Sequence, residues 1–364
     1  MFSDKVIKKR IINLFILILA IIPFNQKIAQ GCKDYKVISR DSLDMEHRLF
    51  EGEDCLEIMI ITDYGTLLQD KGDNPSYHDA IVRYKNKDST WVDVVAEVRV
   101  RGNFRKQSAN CDFPPLRLRF GKKARQNTIF QDVKNLKIVT HCQTNLPEYN
   151  QYVLQEYLIY KLYNILTDYS YNVNLLRVTY LDENDSTYVL EKCAFFLEDD
   201  EDFEERLDGN LLDLETVDPD YVDPDYYLLV AFFEYLIVNT DWSLPIMHNV
   251  NLLSLDYFNP PIPVPFDFDW SGLINIPYEV PTVNGLKTRV PERIYKGPCV
   301  KNRDLKSTVR FFQSKRQEIF DLYYNFPYLE YNYKAETFKN IEIFYEILEN
   351  RDIFEAVFMD QCIH

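Results

Sequence analysis

The stretch WVDVVAEVRVR, residues 91–101, decides the fold of this chain, because apolar and polar side chains alternate along it. Every second residue from Val94 to Val100 is apolar, and the charged residues fall between them. A strand places alternate side chains on opposite faces, so this period predicts a strand with one face in a core and the other in solvent.

The same reasoning predicts more strands on both sides of this stretch and helices further along the chain. Strands are predicted at 56–62, 116–120, 136–140, 174–181, 187–197, 252–255 and 264–268. Helices are predicted at 149–167, at 224–238 and from about 304 onward. A strand-rich half followed by a helical half predicts an α+β protein of two lobes with a cleft between them.

The predicted domains follow from this division of the chain. Residues 31–200 form a strand-rich N-lobe with one long helix, 201–225 an acidic connection, and 226–364 a mainly helical C-lobe. Between Glu198 and Asp225, fourteen acidic residues face a single basic one, Arg206. We interpret this segment as a solvated, mobile connection; a binding face for a basic partner is the alternative.

The first thirty residues predict export. Basic residues precede the apolar run Ile11–Ile22, which is too short for a transmembrane helix, so residues 1–30 are predicted to be a signal peptide. No later stretch reaches the ~20 apolar residues of a membrane-spanning helix. The expected location is therefore periplasmic, cell-surface or secreted.

All seven cysteines follow the predicted cleavage site. An odd number leaves one thiol without a partner. A lipid anchor at Cys32, in the sequence Ala-Gln-Gly-Cys, would leave six cysteines for three disulfides. The spacings contain no CxxC pair, so a zinc site is not predicted.

The charge of the chain argues against nucleic acid as a partner. The formal net charge is −16, and loss of residues 1–30, with five basic groups and one acidic group, would bring it to about −20. An envelope protein or a protein substrate is expected instead, since such a charge repels polyanions.

A polar motif follows the predicted helix at 224–238. Asp241, in Asn239-Thr-Asp241, is predicted to accept or orient the proton of a substrate hydroxyl. Asn249, eight residues further on, is a predicted metal ligand. The alternative is that Asn239 and Asp241 only cap a helix or form a turn.

Asp267 and Asp269 flank Phe268 in an apolar run. On a strand both carboxylates would point to one face. Burying two like charges is costly unless a cation neutralises them, so the pair predicts a site for a divalent metal. Paired carboxylates on an exposed turn are the alternative.

Arg101, Gly102 and Asn103 follow the strand at 91–101, and a glycine there lets the backbone approach phosphates. Arg117 and Arg119, in the next strand, are candidates for binding phosphate oxygens. A hairpin turn with solvated arginines is the alternative.

In this order the motifs resemble the CotH kinase family, the spore-coat-protein-H-like branch of the protein-kinase-like fold. The shared set is Arg-Gly-Asn after a strand, a basic aromatic strand, a helix, a strand ending in an acidic segment, Asn-x-Asp, a downstream Asn and Asp-x-Asp. The resemblance covers residues ~95–275, about half of the chain. Each motif is short, so the resemblance lies in their joint order.

The resemblance implies a bilobal, protein-kinase-like fold with ATP and Mg²⁺ or Mn²⁺ as cofactors. It implies that Asp241 is the catalytic carboxylate, that Asn249 and Asp267 bind metal, and that Asp269 lies beside them. The implied reaction moves the γ-phosphoryl of ATP to a protein hydroxyl.

Two departures from the family pattern bear on this expectation. Arg119 stands where the family has a lysine that pairs with ATP, with Glu156 on the predicted helix as its partner, and the whole chain has only ten glycines. Both departures fit the alternative of a non-catalytic, pseudokinase-type module of the cell envelope. A metal-dependent glycosyltransferase, using Asp267 and Asp269 on a nucleotide sugar, is a further alternative.

Overall fold

The computed structural model describes residues 49–50, 52, 55–86, 88–276, 292–299, 302–360 and 362. The predicted signal peptide and Cys32 lie outside these residues. The strands predicted at 56–62 and 116–120 are confirmed at those bounds. Most other predicted elements differ by up to three residues at either end.

Seven strands form a closed barrel in the order β1-β2-β3-β4-β5-β7-β6. Their bounds are β1 Leu56–Thr62, β2 His78–Lys85, β3 Trp91–Val100, β4 Leu116–Phe120, β5 Asn135–Val139, β6 Val173–Asp182 and β7 Val189–Glu198. Six neighbouring pairs are antiparallel, and the parallel pairing of β1 with β6, Leu56 opposite Leu176, closes the barrel.

The prediction of a bilobal, protein-kinase-like fold is wrong. The N-terminal sheet is a closed barrel. The backbone groups of β1 and β6, which would be exposed at the edges of an open sheet, form hydrogen bonds with each other. A single hydrophobic cluster continues from the outer wall of the barrel, at Phe195 on β7, to Phe344 near the C-terminus. The helical region therefore packs directly on the outer wall of the barrel. The alternating pattern of the strands does not predict this packing.

The barrel interior is filled by apolar side chains from alternate strand positions. Ile58, Leu118 and Phe196 have no exposed surface. A short helix, α1, spans Tyr64–Leu67. The long helix α2, Glu148–Leu166, lies against the outer face of β7. Its Tyr160 ring lies 5.7 Å from that of Phe195. The outer face of β7 thus fixes the position of α2 and of its polar residues.

The rest of the described chain is mainly helical. Its elements are α3 Asp200–Leu207, β8 Asn210–Leu211, α4 Pro224–Leu236, β9 Val250–Ser254, β10 Ile262–Pro265, α5 Asn302–Asn325, α6 Tyr331–Glu349 and α7 Arg351–Phe358. Strands β8, β9 and β10 form a small antiparallel sheet. The acidic segment is not a mobile connection throughout, because α3 lies in it and Phe203 is fully buried.

Among the described residues, disulfides join Cys111 to Cys142 and Cys299 to Cys362. Disulfides persist in oxidising compartments, which agrees with an exported protein. Among the described residues, the helices are too short or too polar for any of them to span a membrane.

Candidate functional site

Three loops meet beside α2 and form the candidate site. They are the turn after α4, the residues before β9, and the residues after β10. The amide of Phe266 donates to the carbonyl of Asn249 at 3.1 Å, and the amide of Gly272 to the carbonyl of Val238 at 3.0 Å. Since Pro265 lies opposite Val250, Asn249 and Asp267 lie at the same end of the β9–β10 hairpin.

Asp241 is held by three polar side chains. The Asn239 side chain accepts a hydrogen bond from the amide of Asp241 at 2.9 Å. The Asn249 Nδ2 atom donates to the Asp241 carbonyl at 2.7 Å and to its Oδ2 atom at 3.1 Å. His248 Nε2 lies 3.2 Å from Asp241 Oδ1. The structure thus brings Asp241 and Asn249 together, and His248 contacts the same carboxylate.

The second cluster lies around Glu156 on α2. Glu156 and Asp269 are each 3% exposed, whereas Asp267 is exposed. Arg105 Nη1 lies 3.9 Å from Glu156 Oε2 and 4.0 Å from Asp269 Oδ2. The predicted strand through Asp267 is wrong: β10 ends at Pro265, and Asp267 has a left-handed backbone with φ 61°. The two aspartates therefore differ in burial and do not share one face of a strand.

The buried carboxylates influence each other. Burial raises the pKa of Glu156 well above its usual value, and the negative charges of Asp269 and Asp267 raise it further. Arg105 and Arg101 oppose this rise. Glu156 therefore holds its proton more strongly than an exposed glutamate, unless further positive charge arrives beside it.

The backbone around these side chains is strained. Val238, Met247, Asn249 and Asp267 all have positive φ angles, which residues other than glycine rarely adopt. Val238 is the least tolerant of them because its side chain is β-branched. Each such residue costs on the order of 1–3 kcal/mol, and such residues cluster at functional sites. This is a physical sign of function that the sequence does not carry.

The arginines of the N-terminal half lie in different places. Arg101 lies close enough to lower the pKa of Glu156, and it follows β3 directly. Gly102 has φ 87° and is exposed with Asn103. Arg117, on β4, donates to Asp199, the residue before α3, at 2.8 Å.

Arg119 and Glu156 are not brought together. Arg119 donates to both carboxylate oxygens of Glu97, at 2.7 and 2.9 Å, and lies over the ring of Tyr77. Glu97 is directly opposite Arg119 in the neighbouring strand, and such cross-strand pairs interact. Arg105 lies near Glu156 instead, at 3.9 Å.

Sequence reasoning missed Arg105 and Lys137. Lys137 on β5 lies 2.7 Å from Asp200, and burial lowers its pKa while Asp200 opposes the fall. A single lysine in the apolar strand NLKIV was a signal for it. Arg105 lies in an irregular loop with no periodic pattern, so no signal marked it.

Residues 292–299, for which the sequence predicts no role, contact the turn that contains Asp241 and the end of α4. Lys296 Nζ donates to the carbonyls of Thr240 and Trp242 at 3.0 and 2.5 Å. Arg293 donates to the carbonyl of Tyr235 at 2.7 Å, near the end of α4. Both residues thus give side-chain donors to carbonyl groups at the helix end and in the turn, and the Tyr235 carbonyl also accepts from the amide of Val238 at 3.3 Å.

We expect Lys296→Met to lower the free energy of unfolding by about 2 kcal/mol, because it removes a charged donor from two carbonyl groups. Urea unfolding followed by circular dichroism measures this change. Lys339→Met is the matched control, since Lys339 is 69% exposed. Equal losses in the two variants would show that Lys296 does not hold the turn.

The oxygen atoms of the site fit a hard divalent cation. Carboxylates of Glu156, Asp267 and Asp269, and the amide oxygen of Asn249, are the donors that Mg²⁺ and Mn²⁺ prefer. Within the part of the chain that the structure describes, no three Cys, His, Asp or Glu side chains are grouped as ready metal ligands. A metal ion would have to draw these oxygen atoms closer together.

Comparison with known proteins finds no matching protein-family model and no matching curated protein.

Proposed function

We propose that this protein is an exported, metal-dependent phosphotransferase that moves the γ-phosphoryl of ATP to a hydroxyl of a protein. Membership of the CotH kinase family is part of the same proposal and rests on the order of the motifs alone, because the closed barrel is not the bilobal fold that the resemblance implies. Two observations carry it: His248 and Asn249 hold the carboxylate of Asp241, and two buried carboxylates, Glu156 and Asp269, lie about 4 Å from Arg105. Phosphoryl transfer needs both a group that orients the nucleophile and a group that binds the metal.

In the proposed reaction, the hydroxyl oxygen of the acceptor attacks the γ-phosphorus of ATP. The bond from that phosphorus to the bridging oxygen of the β-phosphate breaks, and ADP leaves. Asp241 orients the hydroxyl and accepts its proton, while His248 and Asn249 hold the carboxylate in place. The carboxylate therefore does not need to reorient during the reaction.

Asp269, Asp267 and Asn249 are the proposed ligands of the metal. When bound, Mg²⁺ or Mn²⁺ would offset the negative charge of the phosphate oxygens. Arg101, Gly102 and Asn103 are the proposed phosphate-binding loop, and Lys137 is a further cation on the same side of the barrel. Arg119 is not part of this proposal because it binds Glu97.

A non-catalytic envelope module is the second candidate, and one surface favours it. Tyr257 and Phe258, at the tip of the β9–β10 hairpin, are 95% and 92% exposed. Exposed aromatic side chains are frequent in contact surfaces for other molecules.

The proposed function is tested by incubating the oxidised protein with ATP labelled at the γ-phosphate and Mn²⁺ or Mg²⁺. Label on the protein or on added casein, abolished by EDTA and by Asp269→Asn, is the expected result. Asp256→Asn is the matched control, because Asp256 lies at the hairpin tip, bonded to Asn259. Neither label transfer nor ADP release from the folded protein would favour the non-catalytic module.

A further inference from the structure

Three arginines lie on the outer face of the barrel, where β3 pairs with β4. Arg99 on β3 is directly opposite Arg117 on β4. Arg101 directly follows β3, and its amide donates to the Pro115 carbonyl at 2.9 Å, which continues the pairing of the two strands. Val100 belongs to the barrel interior, so the side chains of Arg99 and Arg101 point outward. We refer to Arg99, Arg101 and Arg117 as the arginine face.

Arg117 has an ionic partner, whereas Arg99 and Arg101 have none in the described part of the chain. Arg117 Nη2 lies 2.8 Å from Asp199 Oδ1. The guanidinium of Arg99 lies over the ring of Tyr77 at 4.9 Å. The Nε atoms of Arg99 and Arg117 are buried, and no atom of the described residues accepts a hydrogen bond from them. Buried polar atoms normally have a partner, so these two call for an explanation.

Positive charge is concentrated here in a chain whose formal net charge is −16. Lys137 on β5 is directly opposite Arg117, so cations follow one another across β3, β4 and β5. Like charges directly opposite each other in neighbouring strands destabilise a sheet. Asp199 offsets Arg117, and Asp200 offsets Lys137. Arg99 is thus the cation of this row that has no acidic partner among the described residues.

The row of cations ends close to the candidate site. Lys137 Nζ lies 5.3 Å from the centre of the Tyr171 ring. The ring of Phe266 lies 6.4 Å from that of Tyr171 on its other side, and Phe266 directly precedes Asp267. A ligand that covers the arginine face would therefore extend toward the proposed ligands of the metal.

Phosphate groups are the ligands that this face fits best. A guanidinium presents several N–H groups in one plane and binds two oxygens of the same anion. Neighbouring cations favour an anion with more than one negative charge, because a single carboxylate would leave most of their charge without compensation.

We propose that the arginine face binds the phosphate chain of the ligand, and that Arg99 and Arg117 together hold one phosphate group. The bound phosphate offsets the charge of Arg99 and reduces its repulsion of Arg117. This inference rests on the proposed function, in which the ligand is ATP, and it adds the position of the phosphate chain on the barrel.

The test is a calorimetric titration of ATP with Mn²⁺, and separately of tripolyphosphate with Mn²⁺, into the oxidised protein. We expect Arg99→Gln to bind both ligands roughly tenfold more weakly than the wild type, because it loses charged hydrogen bonds to phosphate. Arg83→Gln is the matched control. It makes the same change on β2, where Arg83 is paired with Asp93, and should bind like the wild type.

The outcomes separate this inference from the proposed function. Equal affinities of the wild type and Arg99→Gln would overturn the arginine face and leave the phosphotransferase in place. Equal weakening in Arg83→Gln would show that overall charge decides the binding, and would also overturn it. Tripolyphosphate binding that depends on Arg99, without binding of ATP, would support the face and contradict the proposed function. Binding of neither ligand by the wild type would contradict both.

Urea unfolding without ligand distinguishes a binding role of Arg99 from a structural one. We expect Arg99→Gln to unfold at the same or a higher urea concentration than the wild type, because it removes a charge opposite Arg117. Weaker ligand binding together with lower stability would assign Arg99 to the sheet and overturn the binding role. If Arg99→Gln does not fold, Arg101→Gln replaces it in the titrations, and an unchanged affinity in that variant would overturn the proposal.

Discussion

Replacing Asp241 with asparagine is expected to slow phosphoryl transfer by roughly 10²–10⁴-fold, the usual contribution of a general base. An amide cannot accept the proton of the acceptor hydroxyl. The substitution also disturbs the bonds that Asn249 and His248 make with the carboxylate oxygens. ATP binding should change little, because the proposed metal ligands are Asp267, Asp269 and Asn249.

The rate is measured as label transferred from ATP under single-turnover conditions, with ATP affinity measured separately. Asp256→Asn is the matched control, because it makes the same chemical change at the exposed hairpin tip. A transfer rate that is unchanged in Asp241→Asn would remove Asp241 from the mechanism. Loss of ATP binding would instead assign Asp241 to nucleotide or metal binding.

Glu234→Gln is expected to raise the stability of the protein at pH 8 by up to about 4 kcal/mol, with little effect at pH 4. Glu234 is 1% exposed, and burial raises its pKa from 4.5 to about 8. Asp241 raises this pKa further, while Asn239 and Lys296 oppose the rise.

The sign follows from the protons that each state binds. Between about pH 4.5 and 8 the folded protein keeps the proton on Glu234, whereas the unfolded chain loses it. Stability therefore falls as the pH rises through this window, because the folded state binds more protons than the unfolded state. Glutamine is neutral at every pH and removes this contribution.

Urea unfolding at pH 4, 6 and 8 measures the difference between wild type and Glu234→Gln. The expected result is a stability difference that grows steadily with pH. Glu215→Gln, at an exposed position in the acidic segment, is the matched control and should follow the wild type. Parallel pH profiles for the wild type and Glu234→Gln would contradict a buried, protonated Glu234.

The sequence predicted most strands and helices because their apolar period is strong. In β3 and β4 the alternation identifies the buried side chains correctly. Closure of the barrel depends on the pairing of β1 with β6, which are more than a hundred residues apart in the chain. No local sequence pattern predicts such a pairing. The same limit explains the wrong expectation of two lobes.

The candidate site was predicted in part. Asp241 and Asn249, both singled out from the sequence, lie together beside the β9–β10 hairpin, and their catalytic and metal-binding roles stay predictions. Arg119 was placed wrongly, because its cross-strand partner Glu97 is determined by the register of the strands and not by spacing along the chain. The contact of Arg105 with Glu156 depends on the path of an irregular loop, for which no periodicity exists.

Calorimetric titration of ATP into the oxidised protein, with and without Mn²⁺, tests the central claim most directly. We expect binding that requires Mn²⁺, that is lost in Asp267→Ala, and that is retained in the exposed control Asp256→Ala. Folded protein that binds no ATP in the presence of Mn²⁺, or that binds it equally without metal and in Asp267→Ala, would contradict a metal-dependent phosphotransferase.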